Sequence, residues 1–274
     1  MPFDLDFHDH LARESARFAE AIGQAAPSAR VPSCPDWTAD DLLWHLTEVQ
    51  FFWLTVVKEK LDRAEAEKRK PQRPADRAGL LDLYRRASRE LGVTLALSSP
   101  DTPVWTWSSD RTVGFVLRRQ AHEALIHRVD AELTAGLRTP IDTALADDGV
   151  AEALGVMYGY TPEWGSFTPD ADRTVRFRAD DTGGSWLVAL GRFTGTDPAG
   201  KSYDEPDIHL ADVGSGSGSG SGPDTGGAAS AEIHGSAGDL DCWLWHRPAL
   251  GPVERSGDSA VLAALDAAIA PGIS

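Results

Sequence analysis

Residues 121–136 read AHEALIHRVDAELTAG, and the spacing of Glu123 and His127 within this stretch bears on both fold and chemistry. The stretch belongs to a segment, from about Thr112 to Leu133, whose apolar pattern predicts a helix ended by Gly136. Helical positions i and i+4 share a face, roughly 6 Å apart along the axis, so Glu123 and His127 can close on one divalent ion. A third candidate ligand, His45, lies on another predicted helix. That helix opens at Thr38-Ala39-Asp40-Asp41, with a hydroxyl at the N-cap and acids in the first turn. Three protein ligands leave a fourth position for water or substrate, the usual plan of a catalytic zinc site.

Other helices follow from the same periodicity. They cover residues 4–25, Thr38 to about Leu61, 76–97 after the break at Pro71 and Pro74, and about 144–158. Short connections between helices of this length predict an up-and-down bundle, whose interior can host a metal. The pattern changes after about residue 170. TVRFRA (174–179), SWLVAL (185–190), IHLAD (208–212) and AASAEIHG (228–235) are strand-like, and helical patterns return at 237–246 and 259–270. The expected fold class is therefore α+β. It comprises a helical bundle over residues 1–165 and a smaller domain over 166–274, with one antiparallel sheet covered by helices. The Gly-Ser run at 214–222 reads as a flexible loop inside that second domain.

Composition narrows the partners. The 274 residues are 42% hydrophobic and 25% charged, a globular balance. A net charge of −16 repels phosphate backbones and anionic lipid, which argues against nucleic acid and membrane. No apolar run approaches the roughly 18 residues needed to span a bilayer. The start, MPFDLDFHDHLARE, has no signal-peptide core. Two distant cysteines, Cys34 and Cys242, form neither a disulfide framework nor a cysteine metal site. A cytoplasmic monomer or homodimer is the expectation.

Three segments together resemble the mycothiol-dependent maleylpyruvate isomerase family. They are VPSCPDWTADDLLWHL from Val31, HEALIHRVDAELTAG from His122, and AEIHGSAGDLDCWLWHRP followed by SGDSAVLAALDAAI. The resemblance implies a DinB-like four-helix bundle joined to a sterol-carrier-like domain. It places zinc, or another divalent metal, on His45, Glu123 and His127. It makes mycothiol the thiol cosubstrate, held as a metal-bound thiolate that adds to an electrophilic small molecule, in an isomerase or an S-transferase. It also offers Arg247 as a cation for substrate. One departure is that the chain reads Trp-His-Arg at 245–247, where Trp-Gly-Arg is commoner in the family, so His246 adds bulk.

Other residues have plainer readings. His122 lies about 100° around the helix from Glu123 and is expected to face outward or to support the ligands. Arg128 and Asp130 are expected to pair with each other or to back the ligands, with Asp130 able to orient an imidazole. Cys34 is expected to be a buried thiol. Trp37, Trp44 and Trp53 read as core or cleft wall. Trp164, in an aromatic loop, has the better claim to line a cofactor or substrate cleft. Two further functions fit the residues: a metal hydrolase with Glu48 as a possible base, or a non-catalytic ligand-binding bundle.

Overall fold

A computed structural model of the chain describes residues 5–211 and 229–273, so the Gly-Ser run at 214–222 lies outside the described residues. The chain divides into two compact units, Leu5–Thr139 and one containing Pro140–Ser274.

The first unit is built on four long helices: α1 (Phe7–Gln24), α2 (Ala39–Glu59), α4 (Arg77–Ala96) and α5 (Val113–Thr134), with a short α3 (Arg63–Glu67). Each long helix begins at a side-chain cap, which satisfies backbone N–H groups that have no partner in the first turn. Asp6, Thr38, Asp76 and Thr112 supply these caps. Thr38 and Asp41 form a reciprocal capping box, as their spacing predicts. Gly136 ends α5 at φ +70°, where a residue without Cβ turns the chain at least cost. The Leu137 N–H then donates to the Glu132 carbonyl at 2.7 Å.

Packing neighbours run α1–α5, α5–α2, α2–α4 and α4–α1, which sets α1 and α2 on a diagonal. The connection between those two helices therefore crosses the bundle. It contains a two-stranded hairpin, β1 (Arg30–Val31) and β2 (Cys34–Thr38). Two apolar clusters fill the interior. Leu11, Leu54, Val56, Leu91 and Val116 anchor one, and Phe18, Ile22, Leu42, Leu46 and Tyr84 the other. Ala121 belongs to the first and Ala131 to the second, so Glu123 and His127 fall on the stretch of α5 between them.

The second unit starts earlier than the expected boundary near 165. Helix α6 (Thr143–Glu152), continued by a π-helical turn over Ala153–Tyr158, packs on α7 (Ala237–Leu244) rather than joining the bundle. Gly149 permits this closeness: a Cβ there would stand 2.7 Å from Asp241 Oδ2. The five-stranded sheet has the order β5 (Ser202–Leu210), β4 (Ser185–Thr196), β3 (Gly165–Ala179), β6 (Ala231–Gly235), β7 (Glu254–Gly257). It is mixed rather than antiparallel. The chain leaves β5 at one edge and returns as β6 on the far side of β3, parallel to it, with Val175 opposite Ala231. Helix α8 (Ser259–Ile269) packs on β3, β5 and β6. Among the described residues, no helix is long and apolar enough to cross a membrane.

Candidate metal centre

Helix α2 supplies His45, and α5 supplies Glu123 and His127. One ligand atom from each lies within 4.8 Å of the other two. Glu123 Oε1 stands 3.2 Å from His127 Nε2 and 3.6 Å from His45 Nε2. The two imidazoles meet edge to face, 4.8 Å between centroids. Side-chain exposure rises from 10% at His127 through 17% at Glu123 to 34% at His45, so the cluster opens on the His45 side.

Neighbouring side chains hold each ligand in place. Asp130, fully buried, brings Oδ2 to 3.0 Å from His127 Nδ1. A carboxylate there accepts from Nδ1–H and fixes the ring with Nε2 facing Glu123, as carboxylates behind metal-binding histidines do. Ser33, in the β1–β2 hairpin, donates its hydroxyl to Asp130 Oδ1. Arg119, one turn before Glu123, donates to Glu123 Oε2 at 3.2 Å. The Trp37 indole covers the His45 ring at 4.7 Å between centroids.

The electrostatics follow from this crowding. Burial pushes the Glu123 carboxyl up, but hydrogen bonds with His127 and His45, together with the charges of His127 and Arg119, hold it well below the usual carboxylate range. Burial pushes His127 down, yet its hydrogen bonds to Asp130 and Glu123 outweigh this and raise it to about 9. Two imidazole nitrogens and one carboxylate oxygen converge on a point, with a second carboxylate behind one ring. This donor set fits a divalent ion that takes nitrogen and oxygen, such as zinc.

Residues 8–132 match the Mycothiol maleylpyruvate isomerase N-terminal domain, and residues 144–264 match the MDMPI C-terminal domain. The chain belongs to the mycothiol-dependent maleylpyruvate isomerase family. Two crystal structures share its fold, one of the mycothiol-dependent maleylpyruvate isomerase and one of a histidine-to-alanine mutant of it. Their identities to this chain are 13% and 12%, each at a TM-score of 0.53 over 93% of this chain and 95% of theirs. No individually curated protein matches the sequence.

In this family member the remaining expected residues fall as follows. His122 is buried rather than outward, against the Phe7 ring at 6.1 Å, because α5 is enclosed on nearly every side. Arg128 and Asp130 do not pair with each other. Asp130 serves His127, while Arg128 donates to Glu14 at 2.8 Å and Glu132 at 3.1 Å. Cys34 is only partly buried. Trp164 lies in the second unit, its ring 5.4 Å from Phe193 and 5.3 Å from Tyr203. It borders a cavity of about 450 Å³ that Tyr158, Tyr160 and Glu205 also line. Arg247 follows α7 in that same unit and donates to the Trp245 carbonyl at 2.5 Å. His246 adopts φ +56°, the left-handed region that favours glycine. Arg119 and Ser33 were not singled out by the sequence. Arg119 had a signal, since it precedes Glu123 by four positions and so shares its face.

Proposed function

We propose that the chain is a mycothiol-dependent isomerase acting on a small conjugated carboxylate, with a divalent ion, zinc by preference, held by His45, Glu123 and His127. The observation that carries this reading is the convergence of those three donors within 4.8 Å in a member of this family. Such an ion, when bound, lowers the pKa of a coordinated thiol and so presents it as thiolate, the nucleophilic form.

The protein's own residues then set the geometry. Asp130, steadied by Ser33, fixes the tautomer and ring plane of His127. Glu123 turns one oxygen toward the imidazoles while Arg119 holds the other. Trp37 shields the His45 ring, an apolar wall for an unsaturated substrate.

The reaction is balanced without an oxidant or reductant. The thiolate sulfur bonds to one alkene carbon, and the π electrons move onto the conjugated carbonyl as an enolate. Rotation about the new single bond follows. Collapse of the enolate expels the thiolate and restores the double bond in the other configuration. If the intermediate is protonated instead, the product is a thioether and the enzyme is an S-transferase. The resemblance is what offers Arg247 for a substrate carboxylate, and its aromatic loop is what offers Trp164 for a cosubstrate wall, both within the second unit.

Turnover of maleylpyruvate, with and without mycothiol, tests the reading on protein of known metal content. Thiol-dependent isomerisation by zinc-loaded protein supports it. Stable conjugate points to the transferase, thiol-free hydrolysis to a metal hydrolase, and no turnover of any electrophile tried to a binding module. Arg247→Ala should leave metal content unchanged and lower turnover by about 30- to 1000-fold, a charge-assisted contact that tightens in the transition state. Unaltered turnover would remove Arg247 from the site.

A further inference from the structure

The side chain of Arg119 is 4% exposed, and its guanidinium donates to Glu123 Oε2 at 3.2 Å. Placing a permanent cation beside the carboxylate of a metal centre repels the metal itself, so the arrangement needs a reason. The two oxygens of Glu123 have separate tasks: Oε1 faces His45 and His127, and Oε2 faces Arg119. We propose that Arg119 is a positioning residue that restricts Glu123 to one-oxygen ligation and keeps the centre electropositive, so that it selects an anionic thiol ligand.

The charges make the point. A divalent ion with Glu123 and two neutral imidazoles carries one net positive charge. Asp130, in contact with His127, cancels it. Arg119 restores it, and a thiolate then completes a neutral centre. Without Arg119 the centre is neutral before any thiol arrives, and an arriving thiolate would leave it negative. Glu123 Oε2 would also be released to ligate, filling the position an external ligand uses.

This inference rests on the metal-site reading above, and the experiment separates the two. Wild type, Arg119→Gln and Arg119→Lys are loaded with cobalt(II). The visible absorption, which weakens as coordination number rises, is recorded along with metal affinity by chelator competition and mycothiol affinity by titration. Arg119→Gln should hold cobalt at least as tightly as wild type, show weaker visible bands, and bind mycothiol about 10- to 100-fold less well, the usual size of an effect from a ligand's neighbour. Arg119→Lys keeps the charge and should retain most of the mycothiol affinity. Wild-type bands and mycothiol affinity in Arg119→Gln would overturn the inference while leaving the metal site standing. Should Arg119→Gln not fold, a folded, cobalt-loaded Arg119→Lys that loses mycothiol affinity would overturn the charge argument. Wild-type protein that holds no metal would overturn both readings.

Discussion

Helix α5 carries two buried charge clusters, and they differ in the kinds of atoms they bring together. Around Arg128, which is 1% exposed, every charge has a partner: Glu14 and Glu132 accept from its guanidinium, and Thr139 and Arg17 complete Glu132. Around His127, two imidazole nitrogens and a carboxylate oxygen converge on one point, and a histidine raised to about 9 holds the carboxylates. The first cluster is finished and ties α1, α5 and the chain at Thr139 together. On the proposed reading, the second exchanges a proton for a metal. One helix thus separates a structural role from a chemical one by a single residue, because Arg128 and His127 lie about 100° apart around its axis.

The largest expected effect breaks the chemical cluster alone. His45→Ala, Glu123→Ala or His127→Ala should drop bound metal from about one ion per chain to near none. Turnover should fall by roughly 1000-fold or more, the scale of several kcal/mol of lost transition-state stabilisation. The fold should survive, so full metal occupancy in all three variants would refute the ligand set.

Arg128→Ala should do the reverse. It strands the buried Glu14 carboxylate and takes one partner from Glu132, which keeps Arg17 and Thr139, and should cost about 3–5 kcal/mol of stability, with the metal content of the remaining folded protein unchanged. Denaturant titration and metal analysis on the same samples check both halves. A metal loss as large as the stability loss would mean the two clusters act as one.

Asp130→Asn sharpens the contrast further. The amide preserves shape but no longer accepts the Nδ1 proton as a charged partner, so metal affinity should fall by about 10- to 100-fold. Chelator competition reads this directly, and unchanged affinity would reduce Asp130 to packing.

The two clusters should also part company with pH. In metal-free protein the folded-state value of His127 lies above the ordinary 6.5, so its contribution is fully present below pH 6.5 and is lost as pH rises through about 9. Glu132 is shifted the other way. Burial raises it, but the hydrogen bonds from Arg17 and Thr139 and the charge of Arg128 prevail and lower it. Its contribution is therefore present above the ordinary carboxylate range and is lost on acidification. A melting-temperature profile of metal-free wild type should decline on the alkaline side, and His127→Ala should flatten that limb, while on the acid side it removes what His127 gives Glu123 and leaves the part due to Glu132. An alkaline limb unaffected by His127→Ala would contradict the assignment.

The smallest effect expected is at His246, outside both clusters. Relief of its left-handed backbone by His246→Gly should stabilise by about 1 kcal/mol, visible as a small rise in melting temperature, and a fall would show that its side chain contributes more than its backbone costs.

Much of this contrast was legible in the sequence because it is local. The i, i+4 spacing of Glu123 and His127, the capping box ahead of His45 and the glycine after α5 each depend on residues within a turn or two. What was not legible depends on distant partners. Nothing near Arg128 announces Glu14, and nothing near Asp130 announces Ser33. The burial of His122 follows from α5 being enclosed, which an apolar stripe on one face does not reveal. Helix α6 has a helical pattern like the others, and only its packing on α7 assigns it to the second unit. The parallel pairing of β3 with β6 is a choice of sheet edge, and alternation along a strand is silent on that.

The hairpin that crosses between α1 and α2 has a consequence for the order of assembly. Ser33 and Trp37 reach Asp130 and His45 only after the crossover has been laid across the bundle, and His45 meets Glu123 only once α2 and α5 have docked. The ligands are too far apart in the chain for an ion to gather them cheaply from a disordered state. Unlike a zinc finger, which folds around its ion, this bundle has two apolar clusters to collapse on first. On the proposed reading, metal loading follows folding, and stripping the ion should return a folded protein that is competent to be reloaded.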